Sequence, residues 1–284
     1  METLYKLSGA GNDFIVLDGR SGGVDEYRKE VTIRTLCDRS TGFKAADGRI
    51  GADGVMILSS SVDGAWDFVM EYFNSDGSSG MMCGNGGRCI VAFADFLGIV
   101  PANGKFYEFL AADGPHTGEI LGRDGHSCTV KLKMKDVSEY RRCTDGWFLD
   151  TGTRHFVKFV DDVEAVDIAT EGPRYRWSEE FAPIGANVNF VQVLPDGSLK
   201  VRTFEKGVED ETLACGTGIT ASALAAQLEA WHKDAGTDTP ASSGTTAKSI
   251  HTAVHARIDE LAVDFTPSGS IFTDVFLTGP AALI

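Results

Sequence analysis

The sequence predicts an α/β chain, rich in strands, built from two similar halves. Three observations predict it. One motif occurs twice: Phe73-Asn74-Ser75-Asp76-Gly77 leads to Cys83-Gly84-Asn85-Gly86, and Phe204-Glu205-Lys206-Gly207 leads to Cys215-Gly216-Thr217-Gly218. Each copy runs into an apolar stretch of helical length. The first of these stretches, residues 86–98, carries Ile90, Val91, Ala92, Phe93, Ala94, Phe96 and Leu97 on every face, so it belongs inside a sheet or barrel. The remaining segments are short alternating runs divided by glycine and aspartate turns, which is the pattern of strands.

Taken in order, residues 3–7 alternate, Ser8 to Asp13 is a tight glycine turn, and Phe14 to Leu17 is a strand. Asn12 on that turn reads either as a polar group facing a cleft or as a plain turn residue. A helix is expected over 26–38, a loop over 40–54 and a strand over 55–58. Asp67 to Phe73 is a strand that feeds the first motif. Strands are expected over 106–111, 116–121 and 127–134, with Asp113-Gly114 and Asp124-Gly125 as hairpin signals. In the second half, 148–157 reads as strand, polar turn and strand, and 161–170 as a short helix. Gly185 to Val193 echoes the turn and strand that begin at Gly11. Leu199 to Phe204 feeds the second motif, an Ala-rich helix covers 217–230, and 233–248 is a polar loop. Strands over 252–256, 261–265 and 271–277 follow.

With 284 residues, two medium domains are a better expectation than one. The division expected is 1–120 with 272–284, carrying Cys83, and 121–271, carrying Cys215. A formal net charge of −15 argues against nucleic acid or an anionic membrane as partner, because both need clustered positive charge. There is no basic region followed by an apolar run at the N-terminus, and no uncharged apolar run long enough to span a bilayer. A cytoplasmic location is therefore expected. The six cysteines (37, 83, 89, 128, 143 and 215) include no Cys-x-x-Cys pair and are expected to be reduced.

A cysteine before a glycine-rich turn and an apolar helix places its sulfur at a helix N-terminus, where backbone N–H groups and the dipole favour an anion. Two such thiols, one per half, would meet a small molecule from both sides. That suits inversion at a carbon carrying an acidic hydrogen: one thiolate removes the proton and the opposing thiol delivers another. A lone Cys-Gly-x-Gly is more often a small residue packed beside a turn, and it is the duplication that argues for chemistry. Zinc is the weaker reading, since Cys83 and Cys89 are six residues apart and neither lies near a histidine. His155 reads either as a satisfied loop histidine or as a participant. Glu205, placed like Asn74, could orient an ammonium group, tune a thiol, or simply pair with Lys206 in solvent. Cys37, Cys89, Cys128 and Cys143 read as packing or exposed thiols.

These residues, with Gly11-Asn12-Asp13-Phe14, Gly51-Ala52-Asp53-Gly54, the run Cys83 to Cys89, Ala214-Cys215-Gly216-Thr217-Gly218 and Leu277-Thr278-Gly279-Pro280-Ala281, give the chain an end-to-end resemblance to a known family. It resembles diaminopimelate epimerase, the cofactor-independent enzyme of bacterial lysine and cell-wall biosynthesis that interconverts LL- and meso-2,6-diaminopimelate. The resemblance implies two pseudo-symmetric halves, each a mixed sheet curled into a barrel around a central helix, with the last strand returning to the first half. It implies Cys83 and Cys215 as acid and base, with Cys215 accepting the proton in the LL-to-meso direction, assisted by His155 and Glu205. Substrate contacts are implied for Asn12, Asn74, Gly84, Asn85, Thr153, Asn187, Glu205, Lys206, Gly216 and Thr217. No cofactor and no metal are expected, the partner is a small amino acid, and the assembly expected is a homodimer.

Three positions depart from the family pattern. Lys206 stands where Arg is common, and offers a carboxylate a point charge in place of a fork. Gly152-Thr153-Arg154-His155 stands where many members have Gly-Asn-Pro-His, and Gly54 where many have Gln. Two other readings share the fold: a proline racemase or 4-hydroxyproline epimerase, which usually carries His in place of Asn85, and a non-catalytic or isomerase-like relative, which lacks the cysteine pair.

Overall fold

The computed structural model describes residues 2–235 and 248–284. Its contacts divide it into two compact units, Met1–Leu132 with Gly279–Ile284, and Lys133–Thr278.

The first unit contains β1 (Tyr5–Gly9), β2 (Asn12–Asp18), α1 (Glu30–Cys37), β3 (Gly54–Ser59), β4 (Phe68–Asn74), α2 (Gly84–Phe96), β5 (Tyr107–Ala111), β6 (Gly114–Asp124) and β7 (Ser127–Lys133). β1 and β2 pair antiparallel, β2 and β3 parallel, β3 and β4 antiparallel, β4 and β5 parallel, and β5, β6 and β7 antiparallel in turn. The tail of the chain pairs with β7 through Gly279↔Val130 and with β1 through Leu7↔Leu283, so the strands close on themselves and leave no open edge. Helix α2 packs on β1, β2, β3 and β6, and every residue from Gly84 to Ala94 is buried. On the outside, Ile15, Leu17, Val55 and Ile57 meet Ile33 and Cys37 of α1. The centre of β2 is thus buried on both faces, which is why its sequence is a continuous apolar run.

The second unit contains β8 (Tyr140–Cys143), β9 (Gly146–Asp150), β10 (Arg154–Phe159), α3 (Ile168–Arg176), β11 (Asn187–Val193), β12 (Leu199–Glu205), β13 (Asp210–Thr212), α4 (Gly216–Ala235), β14 (Ile250–His255), β15 (Glu260–Ser268) and β16 (Ile271–Leu283), whose last residues belong to the first unit. From β9 the pairing repeats the order of the first unit: β9/β10 antiparallel, β10/β11 parallel, β11/β12 antiparallel, β12/β14 parallel, then β14, β15 and β16 antiparallel. α4 packs on β9, β10, β11, β12, β14 and β15. On the other face, Ile168 and Tyr175 of α3 join Phe148, Phe156, Phe190 and Phe204 in an apolar cluster. The internal duplication is therefore present in the strand order as well as in the motifs.

Several expectations need correction. The boundary expected at 120/121 falls inside β6, which pairs with β5 and β7 and so stays in the first unit, while residues 272–278 pair with β15 and stay in the second. The helix expected over 26–38 is a 3-10 turn, Asp25–Arg28, then α1, with an extended Lys29 between them. The helix expected over 161–170 begins only at Ile168. Before it, Arg202 donates to the carbonyls of Val163 and Val166, and the Val163 amide is held by the Gln192 side chain, so distant side chains take the backbone groups that a helix would have used. Asp167 caps the helix that does form by accepting from the Thr170 amide. The echo at Gly185 is also re-registered: Gly185-Ala186-Asn187-Val188 opens β11, the counterpart of β3, so it matches Gly51-Ala52-Asp53-Gly54 and not the turn at Gly11. Most of the loop expected over 233–248 lies outside the described residues.

Candidate active site

In the first unit the strand-to-helix turn makes Cys83 the N-cap of α2, with extended backbone (φ −109°, ψ 156°) and its sulfur accepting from the Gly86 amide at 3.2 Å. A sulfur thus stands where Ser or Asp normally sits, half-buried, at the positive end of a helix. Behind it runs a directional chain of hydrogen bonds. Arg88 Nη2 donates to Asn85 Oδ1 (2.8 Å), Asn85 Nδ2 to Asn12 Oδ1 (2.6 Å), and Asn12 Nδ2 to Asp53 Oδ2 (2.8 Å). A cation at one end and a carboxylate at the other fix the orientation of both amides. Asp53 also accepts from Arg39 and from the Asp13 amide. Asp13 is buried against Lys6 at 2.7 Å and Arg39 at 2.7 Å. Burial alone would raise the Asp13 carboxyl, but the hydrogen bonds from Arg39 and Lys6 outweigh it and hold the carboxyl below its ordinary value.

Asn74 ends β4 and closes its own turn, donating from Nδ2 to Ser78 Oγ at 3.0 Å and accepting the Gly77 amide at its carbonyl. The turn joins the asparagine chain through the Ser75 amide, which donates to the Asp53 carbonyl at 3.1 Å. At Gly54 a side chain would run into the Phe73 carbonyl and the Tyr72 ring, so Gln would not fit here without a shift of β4.

In the second unit Cys215 is buried at the start of α4, its carbonyl accepting from the Ile219 amide at 2.8 Å. Its sulfur lies 3.4 Å from Thr217 Oγ1. Thr217 Oγ1 is 2.9 Å from His155 Nε2 and 3.1 Å from Thr153 Oγ1, and its carbonyl accepts from the Thr151 hydroxyl at 2.9 Å. His155 is wholly buried, and burial, acting against the charge of Asp150, pushes its pKa to about 3. Its ring is neutral. Asn187 donates to the Arg154 carbonyl (3.0 Å) and toward Thr153 Oγ1 (3.5 Å), while its Oδ1 accepts the Lys206 amide at 2.8 Å. Glu205 accepts the Thr212 hydroxyl at 2.9 Å, and Lys206 is exposed.

Within the first unit, then, Cys83, Gly84, Asn85 and Asn12 come together, with Asn74 nearby. Within the second, Cys215, Gly216, Thr217, Thr153, His155, Asn187 and the backbone of Lys206 do. Asn189 was missed by sequence reasoning, although a signal exists: strand alternation puts it on the same face of β11 as Asn187, two asparagines at the start of a run whose remaining residues are apolar except Gln192. Arg88 was missed too, as a buried cation in an apolar helix four residues after Gly84. The thiols outside the motifs are suppressed by burial, Cys37 to about 11 and Cys89 and Cys143 to about 12. Among the described residues no cluster of three or more His, Cys, Asp or Glu is placed to hold a metal, and no helix is long and apolar enough to cross a membrane.

Solved structures share the fold. A phenazine biosynthesis protein of Bacillus anthracis aligns with a TM-score of 0.67 at 10% identity, over 99% of this chain and 96% of that one. A hydroxyproline epimerase of Agrobacterium vitis, solved with trans-4-hydroxy-L-proline, aligns with a TM-score of 0.62 at 15% identity, over 99% and 88%. Sequence likeness is narrower. The chain is 39% identical to the diaminopimelate epimerase of Flavobacterium psychrophilum over 99% of its own length and 97% of that protein's. It is 38% identical to that of Aquifex aeolicus over 97% and 93%, and 44% identical to that of Chlorobaculum tepidum over 77% and 80%. The family model for diaminopimelate epimerase matches residues 4–111 and 147–265. The chain belongs to the diaminopimelate epimerase family.

Proposed function

We propose that this protein is an amino-acid isomerase that interconverts LL- and meso-2,6-diaminopimelate by moving one proton, without a cofactor. The observation that carries the reading is the paired placement of Cys83 and Cys215, each at the mouth of its own helix in a duplicated frame. In the LL-to-meso direction the Cys215 thiolate takes the α-proton and becomes a thiol, and the Cys83 thiol protonates the opposite face and becomes a thiolate. Exchange with solvent resets the pair. The carbanion-like intermediate is stabilised where the substrate carboxylate meets the N–H groups at the starts of α2 and α4, in the roles assigned to Gly84, Asn85, Gly216 and Thr217. Asn12, Asn74, Thr153, Asn187, Glu205 and Lys206 are assigned to the amino and carboxylate groups.

Asn85 favours diaminopimelate over proline-type substrates. Its side chain is tied at both ends, to Arg88 and to Asn12, and so is a fixed part of the first-unit cluster. A homodimer in the cytoplasm completes the reading, on the resemblance. Purified protein assayed with LL-diaminopimelate, proline and 4-hydroxyproline tests it. Turnover of the first alone is the expected result, and turnover of a proline-type substrate alone would overturn it.

A further inference from the structure

Asn189, buried on β11, determines which nitrogen of His155 carries the proton. Its Nδ2 lies 3.1 Å from the Phe156 carbonyl and 3.0 Å from His155 Nδ1, while its Oδ1 accepts the buried Thr203 hydroxyl at 3.0 Å. A backbone carbonyl can only accept. The amide therefore cannot be turned over, and its two N–H groups go one to Phe156 and one to His155. Nδ1 must be the bare nitrogen, and a neutral ring then carries its proton on Nε2. Nε2 faces Thr153 Oγ1 and Thr217 Oγ1, each at 2.9 Å. If the proton goes to Thr217, that hydroxyl can turn its own proton to Cys215 whenever Thr153 is not its acceptor. If it goes to Thr153, the Thr153 hydroxyl donates to Thr217 across 3.1 Å, with the same outcome at the sulfur.

We infer that Asn189 is a positioning residue that locks His155 as the Nε2–H tautomer, so that His155 and Thr217 hand hydrogen bonds toward Cys215 and favour its thiolate. His155 is then a donor in this site and not the base that deprotonates Cys215. This rests on the reading of Cys215 as an acid/base thiol, but two of its tests do not depend on turnover. The first turn of α4 is shaped for the arrangement: a side chain at Gly218 would collide with Asn189 Oδ1.

The test combines three measurements on the full chain. Nitrogen-15 spectra of His155 at pH 7 should show an unprotonated Nδ1 and a protonated Nε2. An Nδ1–H tautomer or an imidazolium would overturn the inference. Alkylation of Cys215 by iodoacetamide, followed by mass spectrometry, should slow about tenfold at pH 7 in Thr217→Val and in Asn189→Ala, the loss of about one hydrogen bond to a charged acceptor, while Cys83 keeps its rate. An unchanged Cys215 rate in Thr217→Val would also overturn it, and this variant alters no buried packing around Asn189 should Asn189→Ala fold poorly. In the epimerase assay Asn189→Ala should lower kcat with KM nearly unchanged. If no diaminopimelate turnover exists at all, the spectra and alkylation still decide the tautomer and the relay.

Discussion

The Gly86 amide donates to Cys83 Sγ at 3.2 Å, so one sulfur is both the cap of a buried helix and the proposed acid/base group. The two roles can be separated by substitution. Cys83→Ser retains a capping acceptor and should unfold in urea within about 1 kcal/mol of wild type, whereas Cys83→Ala should lose about 0.5–2 kcal/mol. Both should lower epimerase kcat/KM by about 10²–10⁴. An active Cys83→Ser enzyme would remove the thiol from the chemistry.

The six cysteines should label unequally. Cys83 is half-buried at a helix mouth, whereas burial pushes Cys37 to about 11 and Cys89 and Cys143 to about 12. Under native conditions at pH 8, iodoacetamide should modify Cys83 first and leave those three unmodified until the protein unfolds. Peptide mapping with time reads the order directly.

His155 should leave a signature in stability. The unfolded histidine binds a proton near its ordinary 6.5, and the folded one resists until about 3. Its contribution is complete above about pH 6.5 and falls by up to about 1.4 kcal/mol per pH unit below that. Urea unfolding of wild type and His155→Gln at pH 7, 6 and 5, above the range where Asp13 titrates, should show wild type losing more stability by this slope. Parallel pH dependences would mean that the imidazole is protonated in the folded protein.

Gly218→Ala should place a methyl against Asn189 Oδ1 in the first turn of α4. Overpacking of this kind costs about 1–3 kcal/mol, and the displaced amide should change the His155 nitrogen spectrum. A variant with wild-type stability and spectrum would show that the turn has room.

The sequence made the duplication, the two helix mouths and nearly all the strands legible, because each rests on local signals: glycine at the turns, apolar faces and alternation. What failed was governed by distant groups. The backbone before Ile168 is held by Arg202 and Gln192, and the break at Lys29 follows Arg28, whose guanidinium reaches across to Glu71 at 2.6 and 2.8 Å. The short β8 and β13 were not foreseen, since their pairing with β9 and β12 is set by neighbours more than by their own residues. In the site, the motif residues could be read, but the chain from Asn189 to Thr217 joins three separate segments, β11, β10 and α4, and no spacing announces it.

Two thiols acting on opposite faces are tested most directly by hydrogen exchange in D2O with Cys83→Ala and Cys215→Ala. Neither variant should epimerise diaminopimelate, since each lacks a base for one face or an acid for the other. Each keeps one thiolate, so each should exchange the α-hydrogen of only the stereoisomer presented to that sulfur, with retention, and the two variants should prefer opposite stereoisomers. Mass and chiral analysis of the recovered amino acid reads both properties at once. Epimerisation by either purified variant, beyond contaminating host enzyme, would contradict the two-base mechanism.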